Sequence, residues 1–293
     1  MQKITPFLWF DTEAGEAAAL YCGVFRDSKI KNVTAVRNTP SGTVEIVAAE
    51  FFGQGFTLMS AGPFFKFTSA VSFLLACNTK EEVDALWKTL AHKGKAVLDL
   101  GAYPFSERYG WVQDRYGLSW QVMYMGGRAI KQRITPTLMF TGRQCGKAEE
   151  AVSFYASVFN DAEVGDILYY GKDEAREKET SVKHASFTLE GQGFAAMDSA
   201  HVKGVAFNEA ISFVVSCETQ EEVDHYWNKL SADPAAEQCG WLKDKFGVSW
   251  QIVPSALNGM LRDKDARKAA RVTEAFLKMK KLEIEGLEKA YGG

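Results

Sequence analysis

The order of apolar and polar positions predicts a repeated arrangement of strands and helices. Residues 4–10 form an apolar run rich in aromatic side chains, as in a buried strand. From Ala17 onward the apolar residues follow helical spacing, and three extended stretches come next, at about 29–37, 43–52 and 55–61. This first part of the chain therefore predicts a β-α-β-β-β module.

A second module of the same kind follows directly. Residues 70–77 form another apolar strand, and Thr79 together with Glu82 has the spacing of a capping box at the start of a helix. Two or three further strands end at residues 119–124. One copy of the pattern is thus a pair of β-α-β-β-β modules.

The whole pattern then occurs a second time. Ile4–Phe10 returns as Ile134–Phe140, and Asp114–Gln121 returns as Asp244–Gln251 with most of its residues kept. Self-similarity in the same order along the chain indicates duplication of a structural unit. The similarity by itself does not say which residues are functional.

We predict the domain boundaries from the ends of the two copies. The first domain covers residues 1–125 and the second covers 134–254, with a linker at 126–133. The remaining segment, 255–293, belongs to neither copy. Its apolar spacing predicts two short amphipathic helices that pack on the body of the protein or on a partner subunit.

The second copy is shorter in one place. Leu230 and Gly240 are separated by half as many residues as Leu90 and Gly110, their counterparts in the first copy. We therefore expect the second copy to lack most of one hairpin. This leaves open whether the pocket of that copy is altered.

Composition excludes several classes of protein. Hydrophobic residues make up 46% and charged residues 24% of the 293 residues, and the net charge is −3. Such values are typical of a globular chain with no general attraction to nucleic acid or to anionic lipid. No apolar stretch approaches the ~18 residues of a membrane span. The five cysteines contain no Cys-x-x-Cys pair, which favours a reducing compartment, and we expect the cytoplasm.

The paired modules and the ending Asp-x-[Tyr/Phe]-Gly-[Leu/Val]-Ser-Trp-Gln resemble the vicinal oxygen chelate superfamily, and most of all its PhnB-like branch. Many proteins of that branch carry the label 3-demethylubiquinone-9 3-methyltransferase. The resemblance covers both copies and is most specific at Cys239–Gln251. It implies an α+β fold in which each copy is a vicinal-oxygen-chelate domain of paired βαβββ modules, forming a curled, cup-like mixed sheet, with C-terminal helices added.

The metal ligands of the superfamily are missing from this chain. Metal-dependent members hold their ion with His and Glu side chains on three strands, which leaves open positions for substrate oxygens. Proline and alanine side chains cannot coordinate a metal, and a glutamine carbonyl is a weak, neutral ligand. We therefore expect no metal and predict no cofactor. The matching positions in the two copies are Pro6, Ala70, Gln121, Pro136, Ala210 and Gln251.

The methyltransferase label implies a site for a methyl donor. Nucleotide-like cofactors are commonly held by a glycine-rich loop between a strand and a helix. The Gly-x-Gly segments that begin at Gly53 and Gly191 are each followed by a strand-like segment instead. We predict hairpin turns at both places and interpret the label as a transferred description.

Alternation along the strands of the implied cup selects candidate pocket residues. They combine apolar side chains with hydroxyls and amides, as small-molecule sites do, and packing in a filled core is the alternative. Gln121 and Gln251 are the strongest candidates because a buried glutamine needs hydrogen-bond partners. The full set is Leu8, Phe10, Ser72, Ser119, Gln121, Met123, Leu138, Phe140, His184, Ser212, Ser249 and Gln251.

Other conspicuous residues receive structural interpretations. Asp114 and Asp244 each stand three residues before a glycine, which predicts turns. The tryptophans near them are predicted to pack in the core rather than to stack on a ligand. Asp198 comes at the end of a predicted strand, where it can serve either as a turn residue or as a catalytic carboxylate.

Three hypotheses for function follow. The first is a metal-independent protein that binds a small, partly apolar molecule or acts on it as an enzyme. The second is a non-catalytic scaffold that dimerises through its C-terminal helices. The third is methyl transfer to a quinone precursor. We expect the two copies to pack as an internal pseudo-dimer, with a homodimer through the tail as an open alternative. The sequence names neither the substrate nor any catalytic residue.

Overall fold

The computed structural model describes residues 2–39, 41–172, 174 and 177–293, and its elements follow the predicted repeat. The first copy contains β1 (Ile4–Phe10), α1 (Ala14–Val24), β2 (Lys29–Thr39), β3 (Gly42–Phe51), β4 (Gln54–Ser60), β5 (Val71–Cys77), α2 (Lys80–Leu90), β6 (Lys95–Tyr103), β7 (Ser106–Gln113) and β8 (Ser119–Tyr124). The second copy contains β9 (Ile134–Thr141), α3 (Ala148–Val158), β10 (Ala162–Tyr169), β11 (Val182–Leu189), β12 (Gln192–Ser199), β13 (Ile211–Cys217), α4 (Gln220–Leu230), β14 (Trp241–Lys243) and β15 (Ser249–Pro254). The tail contains α5 (Leu257–Leu261), α6 (Ala266–Leu277) and α7 (Ile284–Gly292).

The helices α2 and α4 begin at the predicted caps. The Thr79 side chain accepts a hydrogen bond from the backbone N–H of Glu82 at 3.1 Å, and Thr219 accepts one from Glu222 at 3.3 Å. The Glu82 carboxylate in turn accepts from the backbone N–H of Asn78 at 2.9 Å. Reciprocal bonds of this kind satisfy N–H groups that the first helical turn leaves unpaired. The capping boxes are therefore confirmed.

The strands of the described residues form two mixed sheets. One sheet has seven strands in the order β14-β15-β13-β1-β4-β3-β2, and the other has eight in the order β10-β11-β12-β9-β5-β8-β7-β6. Each sheet takes the first module of one copy and the second module of the other, joined through the antiparallel pairs β1·β13 and β5·β9. The α+β fold with C-terminal helices is confirmed. The exchange of modules could not be foreseen, because both modules of a copy have the same periodicity.

The compact units follow the sheets. Unit 1 consists of Met1–Gly23, Asp27–Phe65 and Asn208–Gly293, and unit 2 consists of Val24–Arg26 and Lys66–Phe207. Each unit thus contains a module from both copies. The predicted domain boundaries follow the repeat along the sequence, and they stay a prediction.

Helices cover one face of each sheet, which we call the outer face. In unit 1, Tyr21 of α1 packs edge-on against Phe51 of β3, with 5.5 Å between the ring centroids. In unit 2, α2 lies so close to β7 that a Cβ at Gly110 would come within 2.4 Å of the Trp87 ring. We call the opposite face of each sheet its inner face.

The tail differs from the prediction of two helices. A short helix α5 comes first, and α6 ends at Leu277, before Met279 and Leu282, which also fit the helical spacing. The helix ends there because the carbonyls of Met279 and Lys280 accept hydrogen bonds from the backbone N–H groups of Cys239 and Gly240, at 2.8 and 2.7 Å. Tertiary pairing thus overrides the local pattern. None of the helices described is long and apolar enough to cross a membrane.

The same contact explains what replaces the missing hairpin. In unit 2 the sheet ends with β7 and β6, whereas the described part of unit 1 ends with the three-residue strand β14. The connector between α6 and α7 lies against the residues just before β14, and a Cβ at Gly240 would come within 3.1 Å of Leu282. The tail therefore supports the edge that the shortened second copy leaves in unit 1.

Candidate functional site

The most specific sequence motif of the chain has a structural role. The Asp114 carboxylate accepts hydrogen bonds from the backbone N–H groups of Tyr116 and Leu118 at 2.9 and 3.1 Å, and from the indole N–H of Trp120 at 2.9 Å. Asp244 makes the same three bonds in the second copy. The aspartates form turns, as predicted, and lock a buried tryptophan in place. The motif is therefore explained by folding.

In unit 2 the inner face brings together predicted residues from both copies. Gln121 of β8 is paired with Trp111 of β7, and Ser72 of β5 is paired with Thr137 of β9. Directly paired residues point to the same side of a sheet. By this register, Ser72, Ser119, Gln121 and Met123 share the inner face of unit 2.

In unit 1 the inner face is built in the same way. Ser212 of β13 is paired with Phe7 of β1 and with Ser249 of β15. Gln251 of β15 is paired with Trp241 of β14. The three predicted polar residues of the second copy, Ser212, Ser249 and Gln251, therefore share one face with aromatic side chains.

Four predicted pocket residues lie on the outer faces. Leu8 is paired with Ile211, and the next pair along the two strands is Phe7 with Ser212. In the same way Leu138 is paired with Val71, next to the pair that contains Ser72. Strand alternation therefore places these side chains on the opposite face from the serines. The prediction that they line the cup was wrong by one residue, because a strand buried on both faces shows no alternation in its sequence. The residues concerned are Leu8, Phe10, Leu138 and Phe140.

His184 lies on the inner face of unit 2. It is on β11, opposite Leu168 of β10, and its side chain is exposed. The surrounding protein lowers its pKa, chiefly by desolvation, while Asp166 opposes this and Arg128 adds to it. Whether His184 contacts a ligand stays a prediction.

The metal site of the superfamily does not fit the residues present. Pro6 and Pro136 are paired with Phe213 and Phe73, so both lie on the outer faces. The donors on the inner faces are neutral hydroxyl and amide groups, whereas a site of the superfamily type needs imidazole and carboxylate groups. Within the described ranges, no three His, Cys, Asp or Glu side chains lie close enough to hold a metal ion.

Asp198 is held by backbone groups. Its carboxylate accepts hydrogen bonds from the backbone N–H groups of Gly146, Ala148 and Val182, at 2.7, 3.2 and 2.9 Å. Burial nevertheless raises its pKa. The bonds tie the start of α3 to β11 and β12. Asp198 itself lies within β12, so the prediction of a turn residue was wrong.

The polar groups on the inner face of unit 2 satisfy one another. The Tyr109 hydroxyl donates to Gln121 Oε1 at 2.7 Å, and Gln121 Nε2 donates to Ser72 Oγ at 2.8 Å. The indole N–H of Trp111 donates to Ser119 Oγ at 2.7 Å. Burial raises the pKa of Tyr109 well above its ordinary value, so the phenol stays a donor. All these side chains are buried.

The corresponding groups of unit 1 lack some of these hydrogen-bond partners. Gln251 Nε2 donates to Ser212 Oγ at 3.0 Å, as its counterpart does. Among the residues that the structure describes, however, nothing donates to Gln251 Oε1, and the indole N–H of Trp241 has no acceptor. Ser249 Oγ is buried without any hydrogen-bond partner in the same part of the chain. Ser249 and Gln251 are only 1% and 7% exposed.

The difference follows from the shortened second copy. The position of Tyr109 is taken by Cys239, which adopts a positive φ of 55° and pairs its backbone with the tail. A cysteine side chain is too short to reproduce the phenol. Gln251 therefore lacks the donor that Gln121 has.

Aromatic side chains surround the open groups of unit 1. The Trp241 ring lies 5.5 Å from that of Phe7 and 6.1 Å from that of Trp9, measured between centroids. Trp9 also contacts Phe65 at 5.1 Å, and its own indole N–H donates to Gly62 O at 2.9 Å. The inner face of unit 1 thus combines a flat apolar surface with three unpaired polar groups.

Unit 2 has a depression of its own at its β6 edge. It is an open cavity of about 400 Å³ lined in part by Lys95, Val97 and Gln113. Gln113 Nε2 donates to Ser69 Oγ at 3.4 Å, and the Thr68 hydroxyl donates to Ala206 O at 2.9 Å. Polar side chains around this cavity are therefore already engaged with the protein.

Sequence reasoning missed the residues that make the inner faces of the two units different. Tyr109 was not singled out, and Trp111 and Trp241 were assigned to packing. A signal was present, since Trp241 stands ten residues before Gln251, as Trp111 does before Gln121, while the tyrosine has no counterpart. This signal could be interpreted only once it was known which residues pair across the strands.

Both copies of the chain match a known protein family. Residues 2–123 and 132–253 match the sequence model of a family described as 3-demethylubiquinone-9 3-methyltransferase. The chain belongs to this family, in two tandem copies. The two matches cover most of the repeat, so the resemblance drawn from the signature is confirmed. No curated protein matches the chain.

Solved structures resemble one copy or most of the chain. A PhnB protein from Bacillus cereus is 34% identical over 42% of this chain and 99% of its own, with a TM-score of 0.40. Glyoxalase I from Zea mays is 12% identical over 89% of this chain and 95% of its own, with a TM-score of 0.53. At that identity the second likeness concerns the fold alone. The chain therefore shares the fold of glyoxalase I.

Proposed function

We propose that this protein binds a small, partly apolar molecule on an inner face of its sheets, and that it does so without a metal ion. One observation carries the proposal. Among the described residues Ser249 Oγ is buried without a partner, and the amide oxygen of the neighbouring Gln251 accepts from no donor, on a face that also holds the rings of Phe7 and Trp241. A small-molecule site has this character, with an apolar lining and a few placed polar groups.

Burial of such groups needs a reason. A buried polar atom without a partner costs about 1–3 kcal/mol, and native proteins contain few of them. A bound molecule that supplies the partners removes this cost. Neutral hydroxyl and amide groups can hold a ligand, and they can equally orient a substrate.

The description of the family as a methyltransferase receives no support from the glycine-rich segments. Gly53 and Gly191 lie in tight turns between β3 and β4 and between β11 and β12. They are hairpin turns, as predicted, and have no helix after them to hold a nucleotide-like cofactor. The scaffold hypothesis and a homodimer through the tail stay predictions, as do the pseudo-dimer and the cytoplasmic location.

A thermal-shift screen of the full chain separates the possibilities. The probes are neutral aromatic fragments, divalent zinc and nickel with a chelator control, and S-adenosylmethionine. Binding to the native state raises the unfolding temperature in proportion to the logarithm of ligand concentration. We expect stabilisation by neutral fragments and no change on chelation.

Two outcomes contradict the proposal. Saturable stabilisation by S-adenosylmethionine shows that the protein binds a methyl donor, and saturable stabilisation by a divalent metal shows that it holds a metal ion. No response to any fragment favours the scaffold, and sedimentation of the same sample then tests whether the chain dimerises. A Gln251→Leu variant serves as the matched control, since its response to fragments should be weakened while its fold is kept.

A further inference from the structure

We infer that ligand binding is confined to the inner face of unit 1, and that the ligand is an uncharged molecule with a flat apolar body and a hydrogen-bond donor and acceptor side by side. The inference rests on the proposed function. The two inner faces are built from repeated sequence. A difference in their unpaired hydrogen-bonding groups therefore indicates which of the two faces can bind a ligand.

Unit 2 offers no unpaired group at the positions concerned. Gln121 Oε1 is bonded to the Tyr109 hydroxyl at 2.7 Å, and Ser119 Oγ is bonded to the Trp111 indole at 2.7 Å. Both inner faces carry an apolar cluster, with Tyr109, Trp111 and Met139 in unit 2 and with Phe7, Met59 and the packed Trp241 ring in unit 1, so the hydrogen bonds are what distinguishes them. A ligand on the inner face of unit 2 would have to break these internal hydrogen bonds. Unit 2 is therefore an internally hydrogen-bonded version of the site.

Unit 1 keeps the same positions but not the same bonds. Gln251 Oε1 is an acceptor without a donor, and Trp241 Nε1 is a donor without an acceptor, as far as the described residues go. Ser249 Oγ is buried and unpartnered within those ranges. These groups therefore define what a ligand has to supply.

The register of the strands places the two groups on neighbouring positions of one face. Trp241 and Gln251 are directly opposite each other in the antiparallel pair β14·β15. Side chains of such a pair start about 5 Å apart on one face of the sheet. An amide or lactam carries an N–H and a C=O side by side, which suits it to donate to Gln251 Oε1 and to accept from the Trp241 indole.

Charge at the site favours a neutral ligand. Lys243 is opposite Ser249 in the same strand pair, and its ammonium group forms an ion pair with Glu209 at 2.7 Å. The pair adds no net charge to the face. A charged ligand would lose its hydration without gaining a counterion. The rings of Phe7, Trp9 and Trp241 provide the apolar surface for a flat body.

Three benzene derivatives test these requirements. Benzamide has the donor and the acceptor, acetophenone has the acceptor only, and benzoate is charged. Each is titrated into the full chain labelled with [¹⁵N]tryptophan, and the seven indole signals are followed by NMR. We expect benzamide to shift the Trp241 signal, acetophenone to bind about five- to tenfold more weakly, and benzoate not to bind.

Matched variants locate the site. Gln251→Leu is expected to weaken benzamide binding by about five- to tenfold, while Gln121→Leu leaves it unchanged. The variants Trp241→Phe and Trp111→Phe each lose one indole signal, which assigns that signal to its tryptophan. Each variant also lacks one hydrogen-bond donor. The amide signals of the backbone show whether each variant is folded, and the phenylalanine variants keep the ring that packs.

The outcomes separate the inference from the proposed function. Loss of binding in Gln121→Leu but not in Gln251→Leu, or saturation at two molecules per chain, overturns the inference and leaves the proposed function standing. Tighter binding of benzoate than of benzamide overturns the stated ligand class. Binding that perturbs signals near Gln113 instead assigns the site to the cavity of unit 2 and also contradicts the inference. Absence of binding by all three probes contradicts both.

Discussion

Tyr109 and Gln121 are joined by a hydrogen bond of 2.7 Å from the phenol to the amide oxygen, and the corresponding residues of the second copy are Cys239 and Gln251. The bond completes the set of partners of a buried glutamine. Its absence in the second copy leaves an acceptor open on an otherwise similar face. The relationship connects a shortened hairpin in the sequence with a difference in the hydrogen bonding of the two inner faces.

Removal of the phenol should destabilise unit 2. In Tyr109→Phe the ring still packs, but Gln121 Oε1 loses its donor, and we expect about 1–3 kcal/mol less stability in chemical denaturation. Tyr103→Phe is the control, since its hydroxyl bonds to Asp99 O at an exposed position and should cost less. Equal losses in the two variants contradict the assigned role of Tyr109.

The signature aspartates should be required for stability. Asp114→Asn and Asp244→Asn each replace a carboxylate oxygen that accepts from a buried indole N–H at 2.9 Å. Hydrogen bonds to charged groups contribute about 1.5–3 kcal/mol, and we expect losses of that size with a red shift of tryptophan fluorescence. The exposed Asp99→Asn serves as the control and should lie within about 0.5 kcal/mol of the parent. Unchanged stability of either signature variant disagrees with the turn-locking role.

The cysteines should divide into two classes of reactivity. Cys77 is buried and its pKa is raised to about 12, chiefly by desolvation. Cys22, Cys145 and Cys239 are half-buried. We expect a thiol reagent at pH 8 to label these three well before Cys77, because the thiolate is the reactive form. Labelling sites are identified by mass spectrometry of peptides, and early modification of Cys77 goes against the prediction.

Ionisation of Cys77 should also appear in the pH dependence of stability. In the unfolded chain the thiol ionises near the ordinary value of 9.0, while in the native state it stays protonated up to about pH 12. The contribution of this group is therefore fully present below pH 9.0 and declines as the pH rises towards 12. Cys77→Ala should show a smaller decline between pH 8 and 10 than the parent. An identical slope for both proteins contradicts the assignment.

The tail should contribute to the stability of unit 1. Leu282 is fully buried in a cluster with Leu257, Val272 and Leu287. Leu282→Ala leaves a cavity and should cost about 2–5 kcal/mol. It should also speed the labelling of Cys239, whose backbone pairs with Met279. Leu98→Ala, at an exposed position of β6, is the control and should change little. Unaltered labelling of Cys239 shows that the tail does not support this edge.

Much of the fold could be predicted from local patterns. The caps at Thr79 and Thr219 and the turns at Asp114 and Asp244 depend on residues close together in sequence, so their spacing reveals them. The missing hairpin was visible as a length difference. The exchange of modules between sheets was not, because it depends on long-range strand pairing that leaves no local trace.

Only some of the candidate residues were assigned from the sequence to the face on which they lie. Ser72 and Gln121 share a face, as do Ser212 and Gln251, because polar residues within apolar strands mark the register themselves. Leu8 and Phe10 were placed on the wrong face, since β1 is apolar on both sides and a shift of one residue reverses every side chain. The contrast between Tyr109 and Cys239 became meaningful only when the partners across the sheet were known.

Hydrogen exchange of the indole N–H groups is the most direct test of the central claim, which is that one inner face is internally bonded and the other is open. In the ligand-free protein, the Trp111 N–H is bonded to Ser119 and should exchange slowly, whereas the Trp241 N–H should exchange much faster. Slow exchange at Trp241, or equal rates at the two tryptophans, would contradict the account.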